Sequence, residues 1–192
     1  MEANIYQAPE ADLSTPEMKN AQFYVVSSKK FLTLFFSTMG LYEIYWYYKN
    51  WKAYSAYSNE NIMPFWRAVF SIFFTHALFR EFNKKATAEY SSHKFKHSGL
   101  ATLYVILTIA SNAFERMATK GIGLPYSNIA GYLILLFLGL IFFNAQKTAN
   151  LASGDPEGEN NNSFSPANFL WIVIGLCLWA ILIASYIMPE HF

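Results

Sequence analysis

The feature that most constrains this chain is a long apolar run near its C-terminal end. The run FLWIVIGLCLWAILIASYIM covers positions 169–188 and contains no charged residue. About 20 mostly apolar residues in a helix are enough to cross the hydrocarbon core of a bilayer. The run therefore predicts a membrane-crossing helix over residues 167–188.

Four more segments are apolar enough to lie in a membrane. Residues 127–146 include IAGYLILLFLGLIFF, and residues 99–115 include an uncharged stretch of fifteen residues. Residues 31–48 qualify by length. Residues 64–82 contain two arginines only about 18 Å of helix apart, so this segment either spans, re-enters or lies in the interface.

These segments predict an all-α fold, an integral membrane helical bundle of four to five membrane segments. The bundle is expected over residues 29–192. Residues 1–28 carry four acids and two prolines and lack the apolar region of a signal peptide, so we expect a flexible polar N-terminal tail.

Composition points to the bilayer as the principal partner. Only 14% of the 192 residues are charged, against about 25% in soluble domains. The net charge of +1 gives no global field for nucleic acid, so none is expected as a partner. A protein partner or homo-oligomer is compatible with the apolar helices. Cys177 is the only cysteine, which excludes an intramolecular disulfide.

The distribution of basic residues leaves two orientations open. Five spans with the N-terminus inside, and four spans with residues 64–82 in the interface, each place nine of the 14 Lys and Arg residues on the cytoplasmic side. Both predict that residues 80–98 are cytoplasmic and that the C-terminus is periplasmic. We prefer five spans, because an acidic tail without a signal function is more simply left inside.

Glu43 is the leading candidate for a functional side chain. Ionisable groups within membrane segments are costly unless paired, and they usually face the bundle interior or water. Either Glu43 reaches the interface near Lys49, or it is buried in an ion pair with Arg67 or His76. On the segment 64–82 a polar stripe follows helical spacing, formed by Arg67, Ser71 and Thr75, with His76 beside it.

The stretch GLYEIYWYYKNW predicts the end of a membrane helix. Tyr and Trp are enriched at the headgroup level of membranes. We therefore expect an interface aromatic belt made of Tyr42, Tyr45, Trp46, Tyr47, Tyr48 and Trp51.

Metal and cofactor motifs are weak. Glu89, His93 and His97 share helical spacing suited to zinc, but lysines 94 and 96 between them repel a cation. The stretch GDPEGENNNS lacks the glycine and glutamate that a calcium loop requires. We predict no catalytic, cofactor-binding or metal site.

Several stretches resemble an uncharacterised family of small bacterial multi-pass inner-membrane proteins. They are STMGLYEIYWYYKNW, with the signature GxYxxYWxYKxW, then FFTHALFREF and ANLASGDPEGENNNSFSPANFLWIV. The opening NIYQAPEADL is similar to a short leader of such proteins, with Ile5 in place of the usual proline. The resemblance implies a bacterial inner-membrane location. It implies no activity, because the family is a domain of unknown function.

The sequence favours a multi-pass membrane protein that is not an enzyme and has a structural or interaction role. The alternative is a small transporter or channel with a polar path near Glu43, Arg67 and His76. A second alternative is a membrane-embedded enzyme acting on lipid, with Glu43 or His76 as acid or base.

Overall fold

The computed structural model describes residues 21–187 and is all-helical over that range, as predicted. Seven α-helices follow one another without a strand in this part of the chain. They are α1 (Ser28–Ser37), α2 (Tyr42–Ser58), α3 (Pro64–Val69), α4 (Ser71–Glu89), α5 (His97–Thr119), α6 (Tyr126–Ala152) and α7 (Pro166–Ile187).

The first apolar segment is a hairpin and not one helix, which corrects the membrane segment predicted over residues 31–48. The chain reverses between α1 and α2, where Met39 and Gly40 have φ angles of 54° and 88°. Phe31, near the start of α1, packs 6.2 Å from Trp46 on α2, so the second helix runs back along the first. Hydropathy alone cannot distinguish a continuous membrane-spanning helix from an apolar stretch that is interrupted by left-handed backbone.

The segment 64–82 forms a second hairpin, made of α3 and α4 with a sharp bend at Phe70. The guanidinium of Arg67 on α3 lies 4.4 Å from the ring of Trp51 on α2. The far end of α4 returns to the level of the α2 C-terminus, because Lys85 lies over the Tyr57 ring. Both ends of this segment therefore lie at the same end of the molecule.

The last three helices agree with the predicted segments, which they extend by a few residues. Among the helices described, α6 and α7 are long and apolar enough to cross a membrane by length and composition. The predicted bundle of four to five membrane segments is therefore not confirmed. Helix α5 is 23 residues long, and it carries polar residues on one face.

Apart from the two hairpin tips and the α5–α6 turn, the loops lie at the same end of the molecule. The backbone N–H of Phe23 donates to Ser153 Oγ, and His93 Nε2 lies 3.3 Å from Thr148 Oγ1 near the end of α6. Phe23 also stacks on Tyr54 near the C-terminus of α2. We call this end, formed by residues 21–27, 59–63, 89–96 and 153–165, the basal face. The α5–α6 turn lies at the opposite end.

The tips of both hairpins stop beside the middle of the long helices. A Cβ on Gly40 would lie 3.2 Å from Leu135, roughly one third along α6. Ser71, at the start of α4, contacts Tyr104 near the middle of α5. The hairpins thus extend along only part of the length of α5, α6 and α7.

The end of the predicted N-terminal tail belongs to the core, so the tail boundary at residue 28 is wrong. Phe23 and Val26 are fully buried. The backbone N–H of Val26 donates to Asn150 Oδ1, and the Val26 carbonyl accepts from Asn150 Nδ2. Both buried backbone groups therefore have partners, although this part of the chain is not helical. Residues 1–20 lie outside the described residues.

Aromatic side chains fill the space between the two hairpins and α6. Phe142 on α6 lies at the centre, with its ring 5.1 to 5.7 Å from Trp46, Tyr47, Phe35 and Tyr104. Most of these pairs are tilted or edge-to-face, the geometry that aromatic quadrupoles favour. This core holds the hairpins against the long helices.

Candidate functional site

Glu43 lies at the tip of the first hairpin and meets both neighbouring elements there. Its carboxylate Oε1 accepts a hydrogen bond of 3.0 Å from the Tyr104 hydroxyl on α5. The same hydroxyl is 2.9 Å from Ser71 Oγ at the tip of the second hairpin. We call Glu43, Tyr104, Ser71, Tyr47 and Thr75 the tip cluster.

Tyr47 and Thr75 complete the tip cluster on its basal side. Their hydroxyls are 2.6 Å apart and fully buried, and Thr75 Oγ1 also donates to the Ser71 carbonyl. Buried hydroxyls need such partners because an unmet one costs about 1 to 3 kcal/mol. The cluster therefore joins α2, α4 and α5 through hydroxyl groups.

The predicted polar side chains are only partly brought together. Ser71 and Thr75 join Glu43, but the two cationic candidates do not. Arg67 stacks over Trp51 and Phe74, and His76 Nε2 lies 3.1 Å from Thr102 Oγ1 on an exposed surface. The ion pair considered for Glu43 is therefore absent, and a tyrosine takes the place of the cation.

The predicted aromatic belt is mostly core, which corrects the interface interpretation. Four of its members are buried at 0–1% exposure, namely Tyr42, Trp46, Tyr47 and Trp51. They lie on one face of α2 by the i, i+4, i+5 and i+9 spacing, which faces α1, α4 and α6 because the chain folds back. Tyr45 and Tyr48 are partly exposed, each near a lysine.

The sequence analysis missed a buried network of amide side chains that joins α2, α6 and residues 21–27. Gln146 accepts a hydrogen bond from the Trp46 indole and donates to Asn150 Oδ1 and to the Tyr24 carbonyl. Asn50 Oδ1 accepts from the Tyr24 backbone N–H. The available signal was Gln146 and Asn150 at i, i+4 in the last turns of an apolar helix, where polar groups need partners.

The histidine and acid residues considered for metal binding are dispersed. Residues 90–96 between α4 and α5 are not helical, so the predicted helical spacing of Glu89, His93 and His97 does not hold. Glu89 pairs with Lys85 at 2.6 Å, which raises the pKa of that lysine. Among residues 21–187 no group of three His, Cys, Asp or Glu side chains could hold a metal ion.

Compared with protein-family models, curated proteins and solved structures, the chain shows no match.

Proposed function

We propose that α5, α6 and α7 cross the bacterial inner membrane and that both hairpins enter it from the basal face without crossing. Three observations support this. Helices α6 and α7 have the length and hydropathy of spans, and α5 has a similar length. Large apolar side chains are exposed on α3 and α4, including Phe65, Trp66 and Phe73. The non-helical tip at Gly40 is packed against protein, as backbone at membrane depth must be.

The basic residues support a cytoplasmic basal face. Of the 13 Lys and Arg residues between positions 21 and 187, two occur at the α5–α6 end, namely Arg116 and Lys120. The other eleven lie on the two hairpins, in the α4–α5 loop or in the last turns of α6, and both hairpins open at the basal face. The positive-inside rule then places residues 80–98 in the cytoplasm and the end of α7 in the periplasm.

Within this arrangement the protein acts without catalysis, as an interaction protein in the bilayer. The observation that carries this proposal is that α7 packs against the rest of the protein over one face only. Trp179 donates to the Phe36 carbonyl and Gly175 packs against Ser37, so the helix docks mainly on the ten-residue helix α1. Its opposite face is uncovered, and we propose that a partner helix, in the simplest case a second copy, packs there.

Oxidative cross-linking in native membranes tests this interaction. Cys177 is exposed and lies about 200° around α7 from Gly175, at the middle of the uncovered face. We expect a disulfide-linked species of higher mass when the membranes are oxidised. The control is Cys177→Ala with Ile172→Cys, which places the thiol on the face packed against the core.

The control should stay monomeric. If Cys177 and cysteines at Val173 and Ile181 on the same face form no cross-link to any protein, lipid alone covers α7 and the interaction role is rejected.

A second candidate function, a polar path through the membrane, is supported by the tip cluster. Glu43 has no cationic partner among the described side chains. From Tyr104 toward the periplasmic end, α5 presents Thr108, Ser111 and Glu115 at i+4, i+7 and i+11. Any path would follow α5, and Arg67 and His76 would not line it.

Flux measurements in liposomes test this second function. Glu43→Gln should abolish proton or sodium flux while the melting temperature stays within about 2 °C of the parent. Glu60→Gln, an exposed carboxylate on the α2–α3 loop, is the matched control. An absence of flux with the parent protein would eliminate this candidate.

A further inference from the structure

A large cavity opens at the basal face between the start of the first hairpin and the loop that joins α6 to α7. Its volume is about 930 Å³, within the range of small-molecule sites. Its lining combines cationic and polar side chains with apolar ones. The lining includes Lys30, Lys49, Lys52, Asn161, Phe23 and Ala53.

The cavity lining carries three ammonium groups with little negative charge to balance them. Lys30 Nζ is held at 2.6 Å by Asn161 Oδ1 and at 2.6 Å by the Ser163 carbonyl, both neutral. Lys49 lies over the Tyr24 and Tyr45 rings, and Lys52 lies over Tyr48. Neither Lys49 nor Lys52 forms an ion pair within residues 21–187.

The single acidic residue in the lining, Asp155, forms no ion pair with these lysines. Both carboxylate oxygens of Asp155 accept backbone N–H groups, from Gly158, Glu159 and Asn160. Its two oxygens are thereby occupied by neutral backbone donors. Consistent with crowded positive charge, burial and the neighbouring Lys52 lower the pKa of Lys49.

The position of the cavity along the helices fixes its depth in the membrane. Ser153, which directly follows α6, lines it, and so do Ser165 and Asn168 at the start of α7. These are the ends of the two most apolar helices, where the hydrocarbon core gives way to headgroups. A ligand in the cavity would be at headgroup level.

We propose that this cavity binds the phosphate headgroup of an anionic phospholipid. The phosphate would lie against Lys49 and Lys52, with the amide and hydroxyl groups of the loop beside it. Phe23, Ala53 and Ala56 also line the cavity and suit the glycerol and upper acyl carbons. Basic pockets between membrane helices on the cytoplasmic side bind such headgroups. This inference rests on the membrane placement proposed above.

Lipid titration of the detergent-solubilised protein tests the proposal. Native mass spectrometry with dioctanoyl phosphatidylglycerol should detect one tightly bound lipid, and dioctanoyl phosphatidylcholine should bind much more weakly. The variant Lys49→Gln/Lys52→Gln should bind phosphatidylglycerol roughly ten- to thirty-fold more weakly, because each lysine near anionic lipid contributes appreciably. Lys52→Gln alone, at an exposed position, should show part of the loss without risk to folding.

The matched control is Lys94→Gln/Lys96→Gln, which removes the same charge from exposed positions on the same face. Equal binding by the two double variants would overturn the proposal. Displacement of the lipid by millimolar inorganic phosphate would assign the site to free phosphate instead. Maleimide labelling of Asn162→Cys, beside the cavity, in a Cys177→Ala background separates this failure from failure of the membrane placement, because only the latter would expose that cysteine to the periplasm.

Discussion

At the residue scale, Asn150 shows how one amide fixes the chain where it enters the fold. Its Oδ1 accepts from the Val26 backbone N–H and from Gln146, and its Nδ2 donates to the Val26 carbonyl. All these groups are buried. We expect Asn150→Ala to lower the free energy of unfolding by about 2 to 4 kcal/mol, since two backbone groups lose their partner.

The measurement is the melting temperature of the purified protein in detergent, which should fall by roughly 5 °C or more. Asn144→Ala is the control on the same helix, because Asn144 is exposed and donates only to the Leu140 carbonyl. Equal shifts for the two variants would show that the Val26 contact does not stabilise the fold.

The tip cluster gives a second residue-scale prediction. Tyr104→Phe removes the donor to Glu43 and the partner of Ser71 without changing shape, so we expect a loss of about 1 to 3 kcal/mol. Glu43→Gln keeps an oxygen that can accept from Tyr104 and should cost less. A double-mutant cycle of Tyr104→Phe with Glu43→Ala, which removes the acceptor, measures the coupling of the two side chains by thermal unfolding. Strictly additive effects would mean that this hydrogen bond contributes nothing.

The sequence singled out Glu43 but not its partner. An acidic residue in an apolar stretch can be recognised in the sequence because burying its charge is costly. Which group pairs with it depends on how the chain folds. Tyr104 is 61 positions away and had no feature that distinguished it from other tyrosines. Arg67 was the more obvious candidate by charge, yet aromatic rings receive its guanidinium. Charge complementarity predicts a partner only when the backbone brings the two groups together.

At the element scale, the contact between α1 and α7 depends on Gly175. A Cβ there would clash with the Ser37 carbonyl oxygen and lie 2.9 Å from the Thr38 Cα, both backbone atoms that cannot rotate away. We expect Gly175→Ala to push α7 off α1 and to destabilise the protein by about 1 to 3 kcal/mol. Thermal unfolding in detergent measures the loss.

The control for this substitution is Gly131→Ala on α6, where a Cβ would meet nothing within 4 Å. It should be neutral or slightly stabilising, because alanine is the better helix former. Destabilisation by Gly131→Ala equal to that by Gly175→Ala would remove the packing explanation.

Helices α6 and α7 could be predicted from sequence because an uninterrupted apolar run allows few other structures. The reversal within residues 31–48 could not be predicted, because a continuous apolar helix and an apolar hairpin can have nearly the same composition. The reversal depends on two consecutive residues, Met39 and Gly40, with left-handed backbone, and only the glycine is suggestive in the sequence. Hydropathy measures preference for lipid and carries no information on direction.

At the scale of the whole molecule, the hairpins change the count of basic residues on each side. With residues 31–48 as one span, the N-terminal tail and residues 49–62 fell on opposite sides, and the two orientations tied. Once that segment reverses, residues 21–27 and the α2–α3 loop both lie at the basal face, together with the α4–α5 and α6–α7 loops. If the proposed membrane placement holds, the positive-inside rule then favours a cytoplasmic basal face.

This topology predicts a specific pattern of thiol accessibility. In a Cys177→Ala background, single cysteines replace Glu60, Asn162 and Lys120, which are all exposed. A membrane-impermeant maleimide should label Lys120→Cys on intact spheroplasts. It should label Glu60→Cys and Asn162→Cys only after permeabilisation, because both lie at the basal face. Labelling of Glu60→Cys without permeabilisation would mean that the first apolar segment crosses the membrane after all, and the hairpin topology would be rejected.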